Sequence, residues 1–419
     1  MSTRRPKWLG LAFALFLTLP TYEVAAGTND VLSVNTLNPQ RIMDTLKLVG
    51  DWQLDHPTDF DPRNWAIAPL YNGLIDASLA TGDPKYLAAV VRAGRRIDFE
   101  PGSRTYHADG HAAGRAWLRL YLMSDPKDPK LLEPFKERFD EIVSHPITEN
   151  ISFVTPLPPG IRRTDRWTWS DALFMSPPTI VVLAQATGDQ RYLDFMDSEY
   201  RFAYNALYDP QENLFYRDAR YFDDRAPNGQ KLFWSRGNGW VYAGLALVLE
   251  SLPADRPTQQ FYVTLFTQMS QTLRGLQQPD GFWYPSLKDP QQVPSPEASG
   301  TALFTLGMAW GVGAGLLDAA TYWPVVERAW RAILTAVDSD GAVNFAQPIG
   351  DVPEPFDPRS RVAFGTGAGL SAGAYILRTL GAAAQVDPAT LLDEADALVD
   401  DVPDLSSVCD GDCETPSGN

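Results

Sequence analysis

The chain has 419 residues, 44% of them hydrophobic, and a formal net charge of −17. That apolar share is ample for a large core, and so acidic a surface argues against nucleic acid or an anionic membrane as partner. It does not exclude a small anionic ligand, because a pocket can be locally basic.

Taken in order, the chain begins with a charged head, Arg4, Arg5 and Lys7. An apolar run from Trp8 to Pro20 follows, too short for a comfortable membrane span, and then the small residues Val24-Ala25-Ala26. Residues 1–26 are therefore expected to be a signal peptide, leaving a mature chain of net charge about −19 that starts near Gly27 and is exported, periplasmic or secreted. No later run reads as a transmembrane helix. Cys409 and Cys413 are the two cysteines, and both lie in the tail. They suit a short-loop disulfide of an exported protein better than a metal site.

Residues 38–50 carry a short amphipathic helical pattern, and Trp65 to Leu79 a longer one. The second stops at Ala80-Thr-Gly-Asp83-Pro84: Gly82 for the stop, Asp83 as cap, Pro84 at the first position of the next helix. The same junction recurs at Ala186-Thr-Gly-Asp189, again followed by Tyr-Leu after two intervening residues. Further helix pairs are readable at 108–123 with 128–144, 237–252 with 257–276 and 300–317 with 321–337. A last apolar helix at 366–380 is left to pair with the first one, 38–50, giving six hairpins. Such units cannot bury both faces alone and must stack. The expected architecture is an all-α (α/α)6 barrel over residues 27–385, with the small-residue-rich helices inside. Between 207 and 234 the pattern breaks, and Leu214 to Asp218 with Tyr221-Phe222 reads as a short strand or hairpin at the mouth. Residues 386–419 hold ten acidic residues and no Lys or Arg; the Leu391–Val399 part is expected to be helical and the rest a disordered tail.

The polar and aromatic residues that stand out fall at the starts of the inner helices. They are Trp65; Tyr106, His107, Asp109 and His111; Trp167, Trp169 and Asp171; Arg236 and Trp240; and Thr301. In a closed barrel of antiparallel hairpins these ends share one mouth. Ser170 or Asp171 could simply cap a helix, but tryptophans beside them are the usual walls of a sugar site. Asp109 and Asp171 together make the two-carboxylate arrangement used on glycosidic substrates. Burial and mutual repulsion would raise one pKa, while helix N-termini favour the ionised form, and the sequence leaves that contest open. Arg236 is the candidate for a substrate carboxylate, with loop bracing as the competing role. His107 and His111 bracket Asp109 without further ligands, so no metal and no cofactor is expected.

At these residues the chain resembles glycoside hydrolase family 105, the unsaturated rhamnogalacturonyl hydrolases. The motifs are Trp169-Ser-Asp171-Ala-Leu-Phe-Met-Ser-Pro-Pro, Leu214-Phe-Tyr-Arg-Asp218, Phe233-Trp-Ser-Arg236-Gly-Asn-Gly-Trp240 and Ser299-Gly-Thr-Ala-Leu-Phe. The similarity runs from about residue 40 to 380 and implies an (α/α)6 barrel. It implies that Asp171 is the general acid/base, Asp109 the second cleft carboxylate, and Arg236 and Trp240 the paired Arg and Trp of the family motif. Ser170 and Gly110 depart from the Cys and Asp that many relatives carry, which leaves substrate preference open. The implied reaction removes a 4,5-unsaturated uronic acid from the non-reducing end of an oligosaccharide, by a monomer or weak homo-oligomer. A silent sugar-binding barrel, and another (α/α)6 enzyme such as a polysaccharide lyase or an epimerase, are the alternatives.

Overall fold

A computed structural model describes residues 37–149 and 160–408. Residues 1–26, expected to be a signal peptide, and Cys409 and Cys413 lie outside the described residues.

Helix α1 (Pro39–Asp55) starts at Asn38, whose side-chain oxygen accepts from the amides of Gln40 and Arg41. Helices α2 (Ala68–Thr81) and α3 (Pro84–Arg95) form the first hairpin. Gly82 ends α2 at φ 72°, and Asp83 caps α3 by accepting from the Lys85 amide. Helix α4 (Gly114–Met123) pairs with α5 (Glu133–Ser144). Next come a single turn, α6 (Ala172–Met175), and α7 (Pro177–Thr187). They are one inner helix interrupted at Ser176, where Pro177 and Pro178 follow and prolines cannot donate to the preceding turn. Helix α7 ends at Gly188, φ 75°, and Asp189 caps α8 (Gln190–Leu207) by the device used at Asp83. Strands β1 (Tyr208–Asp209) and β2 (Leu214–Phe215) pair antiparallel, where the sequence predicts a strand. Helices α9 (Ser235–Ser251) and α10 (Gln259–Leu276), then α11 (Ala298–Gly313) and α12 (Ala319–Ala336), make the next two hairpins. Helix α13 (Ala363–Thr379) packs on α1, and α14 (Pro388–Leu398) lies against α3.

The inner helices α2, α4, α7, α9, α11 and α13 contact one another in that order, and α13 returns to α2, which closes the ring. They are buried on nearly every face: all residues of α11 from Ala298 to Val312 are buried. The outer helices are amphipathic, as one-sided burial requires. Closure depends on backbone contact. A Cβ on Gly73 of α2 would lie 2.4 Å from the carbonyl oxygen of Gly367 on α13, and one on Gly367 would lie 2.3 Å from that of Pro69. Further along the axis the inner helices share buried polar contacts. Arg119 meets Asp76 at 2.6 Å, Arg115 donates to Asn72 Oδ1 at 2.7 Å, Ser371 to Asp76 at 2.6 Å and Tyr375 to Glu250 at 2.6 Å.

Up to residue 408 the C-terminal segment is more ordered than its composition predicts. Residues 400–408, expected in a disordered tail, are held by Arg92, whose Nε lies 2.7 Å from Asp404, and by Arg96, which donates to the carbonyls of Ser406 and Val408. Thr58 N also donates to Leu405 O at 2.9 Å. The acidic composition that reads as a solvated tail is matched here by basic residues of α3. No helix among the described residues is long and apolar enough to cross a membrane.

Candidate active site

The starts of the inner helices meet at one end of the barrel, and the carboxylates lie there. Asp171 occupies the N-cap position of α6, but its side chain caps nothing. Its Oδ2 instead accepts from Ser170 Oγ at 3.1 Å and faces Arg217 Nε at 3.3 Å. The capping role that a Ser-Asp pair before an apolar run invites is therefore not the one it has. The neighbouring chain is fixed by backbone pairing: Ser170 N donates to Arg217 O at 2.8 Å, and Trp169 bridges antiparallel to Asp218. The extension of β2 runs beside the Trp169–Asp171 segment and delivers Arg217 to it.

Asp109 sits on a 3-10 turn, Ala108–His111, that leads into α4 and packs against α6. No hydrogen bond to its carboxylate is made among the described residues. Burial, reinforced by the charge of Asp171 and opposed by Arg104 and Arg217, raises its pKa from 3.8 to about 7. His107 caps the same turn, its Nδ1 accepting from the Asp109 amide at 3.2 Å, and its ring rests on Trp169 with centroids 4.9 Å apart. Burial, with the charges of Arg104, His111 and Arg162, lowers the His107 pKa to about 3. The 3.6 Å approach of Nδ1 to Asp109 Oδ2 is thus not an ion pair, since the ring is neutral at ordinary pH.

The other residues singled out from the sequence divide into two groups. Trp65 keeps a partly exposed face, stacked on Phe364 at 5.7 Å, and Trp169 stands between the two carboxylate segments. The rest are engaged by other parts of the protein. Trp240 is fully buried beneath Trp65 and Phe174, and Trp167 is directed outward to Phe195 of α8. His111 uses both ring nitrogens, on Ser176 Oγ and Thr105 O, and burial lowers its pKa to about 4. Thr301 donates to Glu297 O and accepts from the Trp283 amide. Tyr106 donates to His145 O at the end of α5.

Arg236 is 1% exposed. Its Nη1 and Nη2 donate to the carbonyls of Gln347 and Pro348 at 2.5 and 2.7 Å, and its guanidinium lies between Trp234 and Phe364. Of the two roles open from the sequence, the geometry matches loop bracing. Burial lowers its pKa to about 10, although the charges of Glu297 and Asp171 oppose this. Glu297 caps α11, accepting from the amides of Ser299 and Gly300 and from that of Gln347. Sequence reading missed Arg217. It stands in the quoted Leu214–Asp218 motif, but nothing in that motif shows that its guanidinium reaches Asp171.

The comparisons with known proteins bear on this arrangement. Residues 40–380 match the model of Glycosyl Hydrolase Family 88. A protein of Formosa agariphila described as an unsaturated 3S-rhamnoglycuronyl hydrolase is 38% identical over 86% of this chain and 97% of its own. One of the same description from Alteromonas sp. is 35% identical over 81% and 87%. Among solved structures, a glycosyl hydrolase family 88 protein from Bacteroides vulgatus superposes with a TM-score of 0.72 at 29% identity, covering 81% of this chain and 99% of that one. A second, described as a polysaccharide lyase, gives 0.74 at 30% identity, covering 83% and 99%. A third, described as a possible family 105 member from Salmonella enterica, gives 0.67 at 17% identity over 82% and 95%, which speaks to the fold alone. The resemblance read from the motifs and these matches agree, and with a closed (α/α)6 barrel whose mouth holds two aspartates, the chain is a glycosidase belonging to glycosyl hydrolase family 88.

Proposed function

We propose that this enzyme removes a 4,5-unsaturated uronic acid from the non-reducing end of lyase-generated oligosaccharides, and that the sugar it leaves behind is a rhamnose. The first part draws support from Asp171, a carboxylate freed from capping and set beside a second carboxyl, Asp109, that keeps its proton to about pH 7. The second part draws support from the two rhamnoglycuronyl hydrolases at 38% and 35% identity.

In this reading the substrate is a vinyl ether. Asp171 gives its proton to C4, and the positive charge at C5 is shared with the ring oxygen. Water adds to C5 and returns a proton to Asp171, so one group acts as acid and then as base. The C5 hemiketal opens to a ketone, and the hemiacetal left at C1 expels the remaining sugar as an alcohol. The net change is addition of one water. Asp109 holds the sugar hydroxyls or the water, and the partly exposed face of Trp65 offers a stacking surface.

One observation favours a second reading, the similar structure described as a polysaccharide lyase. A lyase creates the conjugated alkene that this hydrolase destroys. Incubating the protein with lyase-generated disaccharides and following the alkene absorbance tests the proposal: a fall is expected, and a rise on intact polysaccharide would favour the lyase.

We also propose that the chain is exported, on the strength of the Arg4, Arg5 and Lys7 head and the short apolar run after it. Mass spectrometry of protein from its host should find a mature N-terminus near Gly27, and an intact Met1 in the soluble cytoplasmic fraction would contradict this.

A further inference from the structure

A uronate substrate brings a negative charge into a mouth that already holds two carboxyls, on a chain of net charge −17. It needs a cation with donors to spare. Arg236 is buried, and both its terminal nitrogens are engaged by the carbonyls of Gln347 and Pro348. Arg220 is on the rim, held by Asp218 and Asp351 at 2.8 and 2.6 Å.

Arg217 differs from both. Its Nη1 is anchored on Asp218 at 2.7 Å, and its main chain is tied to Ser170. The edge formed by Nε and Nη2 is poorly used: Nε has only the 3.3 Å approach to Asp171, and Nη2 makes no hydrogen bond among the described residues. That edge is the one an arginine offers to a carboxylate bidentately. Elsewhere in this molecule it does so. Arg166 grips both oxygens of Glu199 with that edge, Nε at 3.1 Å from each and Nη2 at 2.7 Å from Oε1, and Arg256 sets its Nε and Nη2 on one oxygen of Asp197 at 3.0 and 2.6 Å. Beside Asp171 the same fork makes no hydrogen bond among the described residues: Nε is enclosed behind Asp171 without a bonded partner, while the side chain as a whole is 21% exposed.

We infer that Arg217 is the residue that takes the substrate's carboxylate, binding it on the Nε–Nη2 edge and releasing Asp171 as it does so. This rests on the uronyl hydrolase reading above. The chemistry of the substrate makes the placement consequential. The carboxylate hangs from C5, and C4 is the adjacent ring carbon. A carboxylate seated on Arg217 therefore brings the double bond to the neighbouring Asp171, which has just lost its competing partner.

The test compares wild type, Arg217→Ala, Arg217→Lys and Arg236→Lys on an unsaturated uronyl disaccharide and on its carboxyl methyl ester. Turnover is read by loss of alkene absorbance. Binding of the saturated uronyl disaccharide and its ester is read by calorimetry, which needs no turnover. Wild type is expected to prefer the acid over the ester in both. Arg217→Ala should lose that preference, with kcat/KM on the acid falling roughly ten- to a hundredfold and little change on the ester. Arg217→Lys should recover part of the loss, because it restores charge without the fork. Arg236→Lys should keep the preference. Equal losses on acid and ester in both Arg217 variants would overturn the inference, as would an acid preference that survives in Arg217→Ala. A wild type that leaves the alkene untouched yet binds the acid through Arg217 would overturn the hydrolase reading and not this one.

Discussion

Asp109 offers a test in which stability, rather than activity, reports the electrostatics of the mouth. In the unfolded chain an aspartate ionises near its ordinary value, 3.8, whereas in the folded protein Asp109 holds its proton to about pH 7. Between those values the native state binds a proton that the unfolded state has released, so wild-type stability falls as pH rises through this window. Below it both states are protonated and the site contributes nothing. Above it the full cost of an ionised, poorly solvated carboxylate is present. A displacement from 3.8 to about 7 corresponds to a ceiling of about 4 kcal/mol at about 1.4 kcal/mol per pH unit. The side chain is 21% exposed, so water screens part of this and about 2 kcal/mol is the working expectation. Asp109→Asn keeps the shape and removes the titration. Denaturant unfolding of both proteins from pH 4 to 8 should show the Asn variant gaining on wild type up to neutral pH and levelling off beyond it. Other titrating groups are common to both proteins and cancel in the difference. Parallel stability curves would refute the argument and mean that solvent reaches Asp109 freely.

Asp171→Asn should leave unfolding nearly unchanged while turnover on unsaturated disaccharides drops by on the order of 10² to 10⁴; near-wild-type activity in a folded variant would remove Asp171 from its role. Arg236→Ala should lose about 2–4 kcal/mol in a denaturant melt, because two carbonyls of the 347–348 loop and a buried glutamate lose their cation. Gly73→Ala should cost more than about 1–3 kcal/mol, since the added carbon meets the α13 backbone at 2.4 Å. Gly275→Ala, in α10 with nothing within 4 Å, should instead gain up to about 1 kcal/mol, and the pair can be read in one thermal melt series.

The hairpins were legible because two strong local signals coincide, helical periodicity and the Gly-Asp junctions at Gly82-Asp83 and Gly188-Asp189. The mouth followed from them, since topology alone brings the helix starts together. Side-chain direction did not follow. Trp167 and Trp169 are two residues apart in one motif, yet Trp167 packs outward on α8 and Trp169 stands by His107. Trp240 and Thr301 read like pocket residues because inner helices are apolar on all sides, which erases the periodicity that would tell lumen from wall. The bracing contacts of Arg236 and the place of Arg217 beside Asp171 were hidden for a related reason. Two glycines and two tryptophans made Arg236 conspicuous, whereas what distinguishes Arg217 is a backbone pairing to Ser170, 47 residues earlier. Which carboxyl is lifted also depended on burial, which spacing does not reveal.

The sixth hairpin is assembled from the two ends of the barrel segment, α1 and α13, and the ring closes where α13 returns to α2. This has a consequence for synthesis. A chain emerging from the ribosome cannot cover the apolar flank of α2 until residues near Thr379 have been made. Local hairpins can form early, but the contacts that unite them span most of the sequence and come last. Asp109 and Asp171 are translated long before that point, yet neither has its final surroundings until it is reached. A nascent or truncated chain is therefore expected to hold helices without a catalytic mouth, and to depend on chaperones while its inner faces wait for their last partner.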